Sequence, residues 1–165
     1  MNSIETKSYT VHFNTKAYQE LNAYIAAHHF SKLFILVDNN THEHCLAKLM
    51  SHIETSVVIE VIEIEAGETH KTIETCVGVW NALSELGADR KSLVLNLGGG
   101  VVTDLGGFVA CTFKRGIKYI NIPTSLLAMV DASVGGKTGV DLGALKNQVG
   151  VISSGDMVLI DTSYL

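Results

Sequence analysis

One short run dominates the sequence: Leu93–Leu97, a strand-like stretch that is apolar but for Asn96, passes directly into Gly98-Gly99-Gly100, and a helical pattern follows from Val101 to Thr112. A buried strand feeding consecutive glycines and then a helix belongs to an α/β fold. Glycine lets backbone N–H groups approach a ligand with no Cβ in the way, and a helix N-terminus favours an anion. The run therefore predicts a diphosphate cradle. It is not the usual dinucleotide fingerprint, because G-x-G-x-x-G from Gly98 needs glycine where Thr103 stands.

The rest of the chain alternates strand and helix signals, which predicts a mainly parallel, Rossmann-like sheet flanked by helices over residues 1–165. Tyr9–Phe13 alternates weakly, as an edge strand would. Leu33–Val37 is a continuous apolar run that ends in polar Asp38-Asn39-Asn40, the pattern of a buried strand entering a loop. Val57–Ile64 and Ile117–Ile122 read as strands, the second stopped by Pro123, and Met157–Ile160 reads as the last one. Helices are expected to Met50 from a cap at Thr41 or at an Asp or Asn beside it, over Lys16–His29, over Thr72–Leu86 with Gly87 as C-cap, and over Ser125–Val130. Asp131–Gly143 holds too much glycine for regular structure throughout. The chain stops at Leu165 just after a strand with no closing helix, as an α/β domain can end and as a piece of a longer protein would.

A second glycine-rich run, Val134-Gly135-Gly136-Lys137-Thr138-Gly139, invites comparison with a P-loop. That motif needs glycine at 131, where Asp131 stands, and a strand before it, where a helix is predicted. A lysine in such a loop still serves a phosphate or carboxylate as a point charge, and Lys146-Asn147 add a second cation and an amide nearby. Polar residues gather at expected strand ends: Asp38 and Asn40, Glu68 and Lys71, Thr124 and Ser125. In open parallel sheets that edge binds ligands. Asp104, in the first helical turn after the glycines, suits the helix dipole.

Composition narrows the classes further. A formal charge of −5 argues against nucleic-acid binding. No apolar run reaches membrane-span length and the first ten residues lack a signal-peptide core, so the expectation is a cytoplasmic protein. Three distant cysteines, Cys45, Cys76 and Cys111, form no disulfide framework or zinc ribbon and read as buried reduced thiols. His42 and His44 point about 200° apart on a helix and do not share a metal comfortably.

Together these runs resemble the 3-dehydroquinate synthases. The likeness lies in Gly98-Gly99-Gly100-Val101-Val102-x-Asp104-Leu105-x-Gly107-Phe108, in Lys114-Arg115-Gly116, and in Ile122-Pro123-Thr124-Ser125-Leu126-Leu127-Ala128. It is most specific over Val130-Asp131-x-Ser133-Val134-Gly135-Gly136-Lys137-Thr138 with Lys146-Asn147, while Gly67-Glu68-x-x-Lys71 matches an upstream cofactor motif. The glycine motif alone also fits iron-dependent alcohol and glycerol dehydrogenases; the Ser133–Thr138 segment favours the sugar-phosphate cyclases. The resemblance departs at Asp141-Leu142-Gly143, where the family often has Asn-His-Pro.

The resemblance implies an NAD- and divalent-metal-dependent lyase of the shikimate pathway. Such an enzyme converts 3-deoxy-D-arabino-heptulosonate 7-phosphate to 3-dehydroquinate and phosphate. It implies NAD held by Asp38, Asn40, Glu68, Lys71, Gly99, Gly100, Asp104, Thr124, Ser125, Lys137 and Lys146. Asp131, Lys137, Lys146 and Asn147 would face the sugar phosphate as catalytic residues. Arg115 would reach the substrate phosphate in the neighbouring subunit of a homodimer. The family's zinc or cobalt ligands come from a C-terminal helical domain, so no metal site is expected in this chain, which alone is expected to be inactive. The competing readings are a sister cyclase, a dehydrogenase relative, or a non-enzymatic NAD-binding module.

Overall fold

A computed structural model describes residues 1–165. Five strands run parallel because each returns through a covering segment: β2 (Thr10–Phe13), β3 (Leu33–Asp38), β4 (Ile59–Ile64), β5 (Leu93–Gly98) and β6 (Lys118–Pro123). A sixth, β9 (Met157–Ile160), lies parallel between β2 and β6. A two-residue strand, β1 (Ile4–Glu5), pairs antiparallel with β2 and gives the order β1-β2-β9-β6-β5-β3-β4. β2 is thus interior and not the edge its weak alternation suggests. Its partner β9 is distant in sequence, and one window of residues carries no signal for such a neighbour.

Helices cover both faces. On one, α1 (Asn14–His28) and α3 (Leu46–His52) bury Leu21, Ile25 and Leu49 against Leu33, Ile35, Val37, Leu95 and Leu97. On the other, α4 (Ile73–Glu85) and α5 (Gly100–Thr112) bury Val79, Leu83, Leu105 and Phe108 against Phe34, Leu36 and Val94. Alternate residues of β3 and β5 enter opposite cores, which is why these strands read as mostly apolar runs, broken in β5 only by Asn96. No helix is long and apolar enough to cross a membrane.

The helix expected from Thr41 to Met50 is two pieces, α2 (Asn39–His44) and α3, broken at Cys45. Its cap is Asp38, whose carboxylate accepts from the Thr41 N–H at 2.8 Å while the Thr41 hydroxyl returns to the Asp38 N–H. The Ser125 helix runs past Val130 as a π-type turn, Ala128–Ala132. The glycine-rich region is more regular than expected: β7 (Val140–Leu142) and β8 (Leu145–Val149) form a hairpin. Lys137 also bridges Ile152 and lengthens the ribbon. Cys45 and Cys76 are buried, but Cys111 is only partly so.

α5 is squeezed from two sides, and its paired glycines permit it. A Cβ on Gly106 would lie 2.1 Å from Asn96 Oδ1 in the sheet, and one on Gly107 would lie 2.6 Å from Thr138 Cγ2 in the ribbon. Asn96 donates to Asn121 across β5 and β6 at 3.0 Å, while its Oδ1 has no hydrogen-bond partner. The buried amide pair leaves no slack for a methyl group. Gly106→Ala is therefore expected to cost about 1–3 kcal/mol of stability, read from the urea midpoint.

The carboxyl end of β9 is tied down by Asp161. It accepts from Tyr18 Oη at 2.5 Å and from the Ser163 N–H at 2.9 Å, and pairs with Lys48 at 3.1 Å. Burial pushes its pKa up, but the bonds from Ser163, Tyr18 and Lys48 outweigh burial and hold it at about 2. Its contribution is present above the ordinary aspartate range and is lost as the pH falls toward the folded value. Asp161→Asn is expected to lose about 2 kcal/mol at neutral pH, with the gap to wild type closing between about pH 4 and 2 in acid-unfolding curves.

Candidate functional site

The strand order reverses between the parallel neighbours β3 and β5: β3 leads outward to β4, whereas β5 leads the other way to β6 and β9. At such a switch point the loops leave to opposite faces and a crevice opens at the carboxyl ends of the strands. The triglycine lies there. Gly98 closes β5, Gly99 precedes α5, and no side chain caps the helix. The first N–H groups of α5 therefore have neither intrahelical nor side-chain partners. A Cβ on Gly98 would lie 2.5 Å from Val102 Cβ, so that glycine serves packing. The space outside Gly99 and Gly100 is looser, the nearest atoms to a Cβ being Ser125 Oγ and Ala132 Cβ, each at 3.4 Å.

A cleft of about 830 Å³ opens in front of this helix end. Its walls bring together Glu68, Lys71, Gly100, Asp104, Asp131, Lys137 and Asn147. Both glycine-rich runs thus meet in one cavity, because the ribbon carrying Lys137 packs on α5 at Gly107 and the Gly139 N–H donates to the Asp104 carbonyl at 3.1 Å. Ser125 caps the following turn through the Ala128 N–H, and the Thr124 N–H donates to the Gly98 carbonyl at 3.0 Å, so both lie beside the triglycine. Asp38 stands at the end of the adjacent strand, and Asn40 is exposed in α2; neither lines the cleft. Arg115 lies elsewhere, exposed beside Asp89, Arg90 and Lys114 in the turn leading into β6, at the amino ends of the strands.

A polar chain runs through the cleft. Lys71, only 4% exposed, donates to Asp104 Oδ2 at 2.9 Å and to Asn147 Oδ1 at 2.7 Å. Burial raises the Asp104 pKa against the pull of Lys71, and the carboxylates of Glu68 and Asp131 add to the rise. Lys146 sits at the rim, 3.0 Å from Asp141 Oδ2 and 3.6 Å from Glu68 Oε1; Asp141, then Glu68, raises its pKa. The Asp141 pKa is lowered, first by the Asn147 N–H and then by Lys146, against burial. Asp141 joins this chain without having been singled out in sequence. The signal that could find it is Gly143-Ala144, a two-residue hairpin turn between Leu142 and Leu145.

The histidines near α2 lie apart from the cleft: His42 pairs with Glu63 and His44 with Glu43. No three His, Cys, Asp or Glu side chains stand together to hold a metal ion.

A family model described as the 3-dehydroquinate synthase N-terminal domain matches residues 61–165. The chain belongs to this family. It is 47% identical over 146 residues to the 3-dehydroquinate synthase of Parabacteroides distasonis, covering 88% of this chain and 41% of that protein. It is 41% identical over 166 residues to that of Caldanaerobacter subterraneus subsp. tengcongensis, covering 98% and 46%. Among solved structures, a 2-deoxy-scyllo-inosose synthase complexed with carbaglucose-6-phosphate, NAD+ and Co2+ superposes with a TM-score of 0.87 at 25% identity, over 95% of this chain and 44% of that one. A 2-epi-5-epi-valiolone synthase from Streptomyces hygroscopicus with NAD+ and Zn2+ bound gives 0.79 at 31%, over 99% and 46%. The chain spans between 30% and 47% of the length of the curated relatives it matches. For this family member the buried Lys71 is the hub of the cleft. Lys71→Met is expected to cost about 2 kcal/mol at neutral pH, a loss that shrinks as the pH falls and Asp104 takes up a proton, measured by urea unfolding across pH.

Proposed function

We propose that the chain is the NAD-binding part of a cytoplasmic 3-dehydroquinate synthase. The observation that carries this is the uncapped N-terminus of α5, with Gly99 and Gly100, opening into the same cleft as Lys71, Asp104, Lys137 and Asn147. Glycine approach, orphan N–H groups and a helix dipole fit the diphosphate of a dinucleotide, and the cleft volume suits a ligand of that size. Glu68, Lys71, Asp104, Thr124, Ser125, Lys137 and Lys146 surround it, and Asp38 and Asn40 at the neighbouring strand end are placed for a ribose. NAD, when bound, takes a hydride from a ring carbon of the substrate and later returns it.

The chain's own residues bind and orient. Lys137 and Lys146 present positive charge to an anionic sugar phosphate, Asn147 offers amide donors, and Asp131 accepts from a hydroxyl. Burial raises the pKa of Asp104 against the pull of Lys71, as a carboxylate facing a ligand site can have. The residues of this chain do not fit a zinc or cobalt ion. Arg115, on the edge opposite the cleft, is out of reach of its own site; this supports a homodimer in which it serves the neighbour's substrate phosphate. The sequence likeness favours 3-dehydroquinate formation over the sister cyclases: identity to the curated synthases reaches 47%, against 25% and 31% for the two cyclase structures.

Calorimetric titration of the chain with NAD tests the reading. Binding is expected, and Gly100→Leu, which fills the space before the helix end, should weaken it at least about tenfold with little change in unfolding midpoint. Equal affinity in the two proteins sinks the cradle.

A further inference from the structure

We infer that Asp141 is a positioning residue: its carboxylate clamps a bulge in the β7–β8 hairpin and so fixes Asn147 and Lys146 at the cleft. This rests on the cofactor reading above and adds to it a residue at the one place where the chain departs from the family pattern.

The argument begins with register. Leu142 faces Leu145 across the turn, and the next pair is Val140 with Val149. Two steps along β7 therefore match four along β8, so β8 carries two extra residues. A bulge interrupts the ladder and leaves N–H groups without a strand partner. The Asn147 N–H is one of these, and Asp141 Oδ1 accepts it at 2.8 Å. Asp141 Oδ2 accepts from Lys146 Nζ at 3.0 Å, and the Asp141 N–H donates to the Lys71 carbonyl at 3.0 Å. One residue thus ties together the bulge, the rim lysine and the segment carrying the buried Lys71.

The held groups would not stay in place unaided. Asn147 has φ +53°, a left-handed conformation that costs a side-chain-bearing residue free energy and persists where its surroundings fix it. In that pose its Oδ1 accepts from Lys71, and its amide N–H2 makes no bond within the chain and remains available to a ligand. Lys146 is an exposed, flexible side chain, and an ion pair with a fixed carboxylate restricts where its charge sits. Asp141 itself is 6% exposed, whereas Leu142 to Gln148 around it are exposed, so a charged group is buried among open neighbours. Its lowered pKa agrees with a carboxylate kept ionised by the bonds it accepts.

Asp141→Asn and Asp141→Ala in the 165-residue chain test this. Asparagine retains an oxygen for the Asn147 N–H but loses the charge facing Lys146; alanine loses both. Hydrogen exchange at the Asn147 amide, the NMR titration of Lys146 and the calorimetric affinity for NAD are the readouts. In Asp141→Ala, exchange at Asn147 should accelerate about tenfold, the Lys146 pKa should fall, and NAD affinity should drop about tenfold. In Asp141→Asn, the Asn147 amide should stay protected while Lys146 shifts and NAD affinity falls by less. A purely structural residue would lower the melting temperature in both variants and leave NAD affinity and the Lys146 titration unchanged, which overturns the inference. If the alanine variant fails to fold, unchanged Lys146 titration and NAD affinity in the asparagine variant overturn it equally. If the wild-type chain binds no NAD, the cofactor reading fails, and the Asn147 exchange and Lys146 titration still decide whether Asp141 clamps the bulge.

Discussion

The closeness of α5 to its two neighbours governs the molecule. Gly106 lets the helix settle on the Asn96–Asn121 pair of the sheet, and Gly107 lets the ribbon settle on the helix. A side chain at either place would move one layer away from the next. Because the helix starts at the strand end, the same contacts fix where its free N–H groups point. Because Thr138 rides on Gly107, they also fix where Lys137 and the hairpin stand. Packing and site geometry are thus one constraint, set at the middle of α5 and expressed at its N-terminus.

Much of this was legible in sequence for physical reasons. β3 and β5 read as strands because each is covered on both faces, so every position is apolar apart from Asn96 and the strand ends Asp38 and Gly98. The end of α4 was legible from Gly87, which adopts φ +80° after the helix, while the cap by the Thr72 hydroxyl emerges from the structure. The triglycine and the Lys137 loop announced themselves because glycine is needed where backbone meets backbone or ligand. The chain's place in its family rests on those same runs, and the family match over residues 61–165 spans both of them.

The rest was hidden because it depends on distant partners. β2 reads as an edge, yet it lies against β9, far along the chain. The hairpin of β7 and β8 is mostly exposed, so it lacks the apolar alternation that marks a half-buried strand, and glycines masked it further. Asp141 reads as a turn residue; only the register of the hairpin shows that its carboxylate fills a break in a ladder. The break between α2 and α3 at Cys45 likewise carries no proline or glycine to announce it.

The strand order has a consequence for how the chain acquires its structure. β9, the latest strand in the sequence, is inserted between β2, among the earliest, and β6. Until residues near 160 have been synthesised, β2 has no parallel partner through which to join the sheet, and one edge of β6 stays open. Closing that gap joins segments nearly the whole chain apart, a step opposed by loop entropy and therefore slow. Until β9 is made, the growing polypeptide carries an unpaired strand edge, an interval in which self-association competes with completion of the sheet.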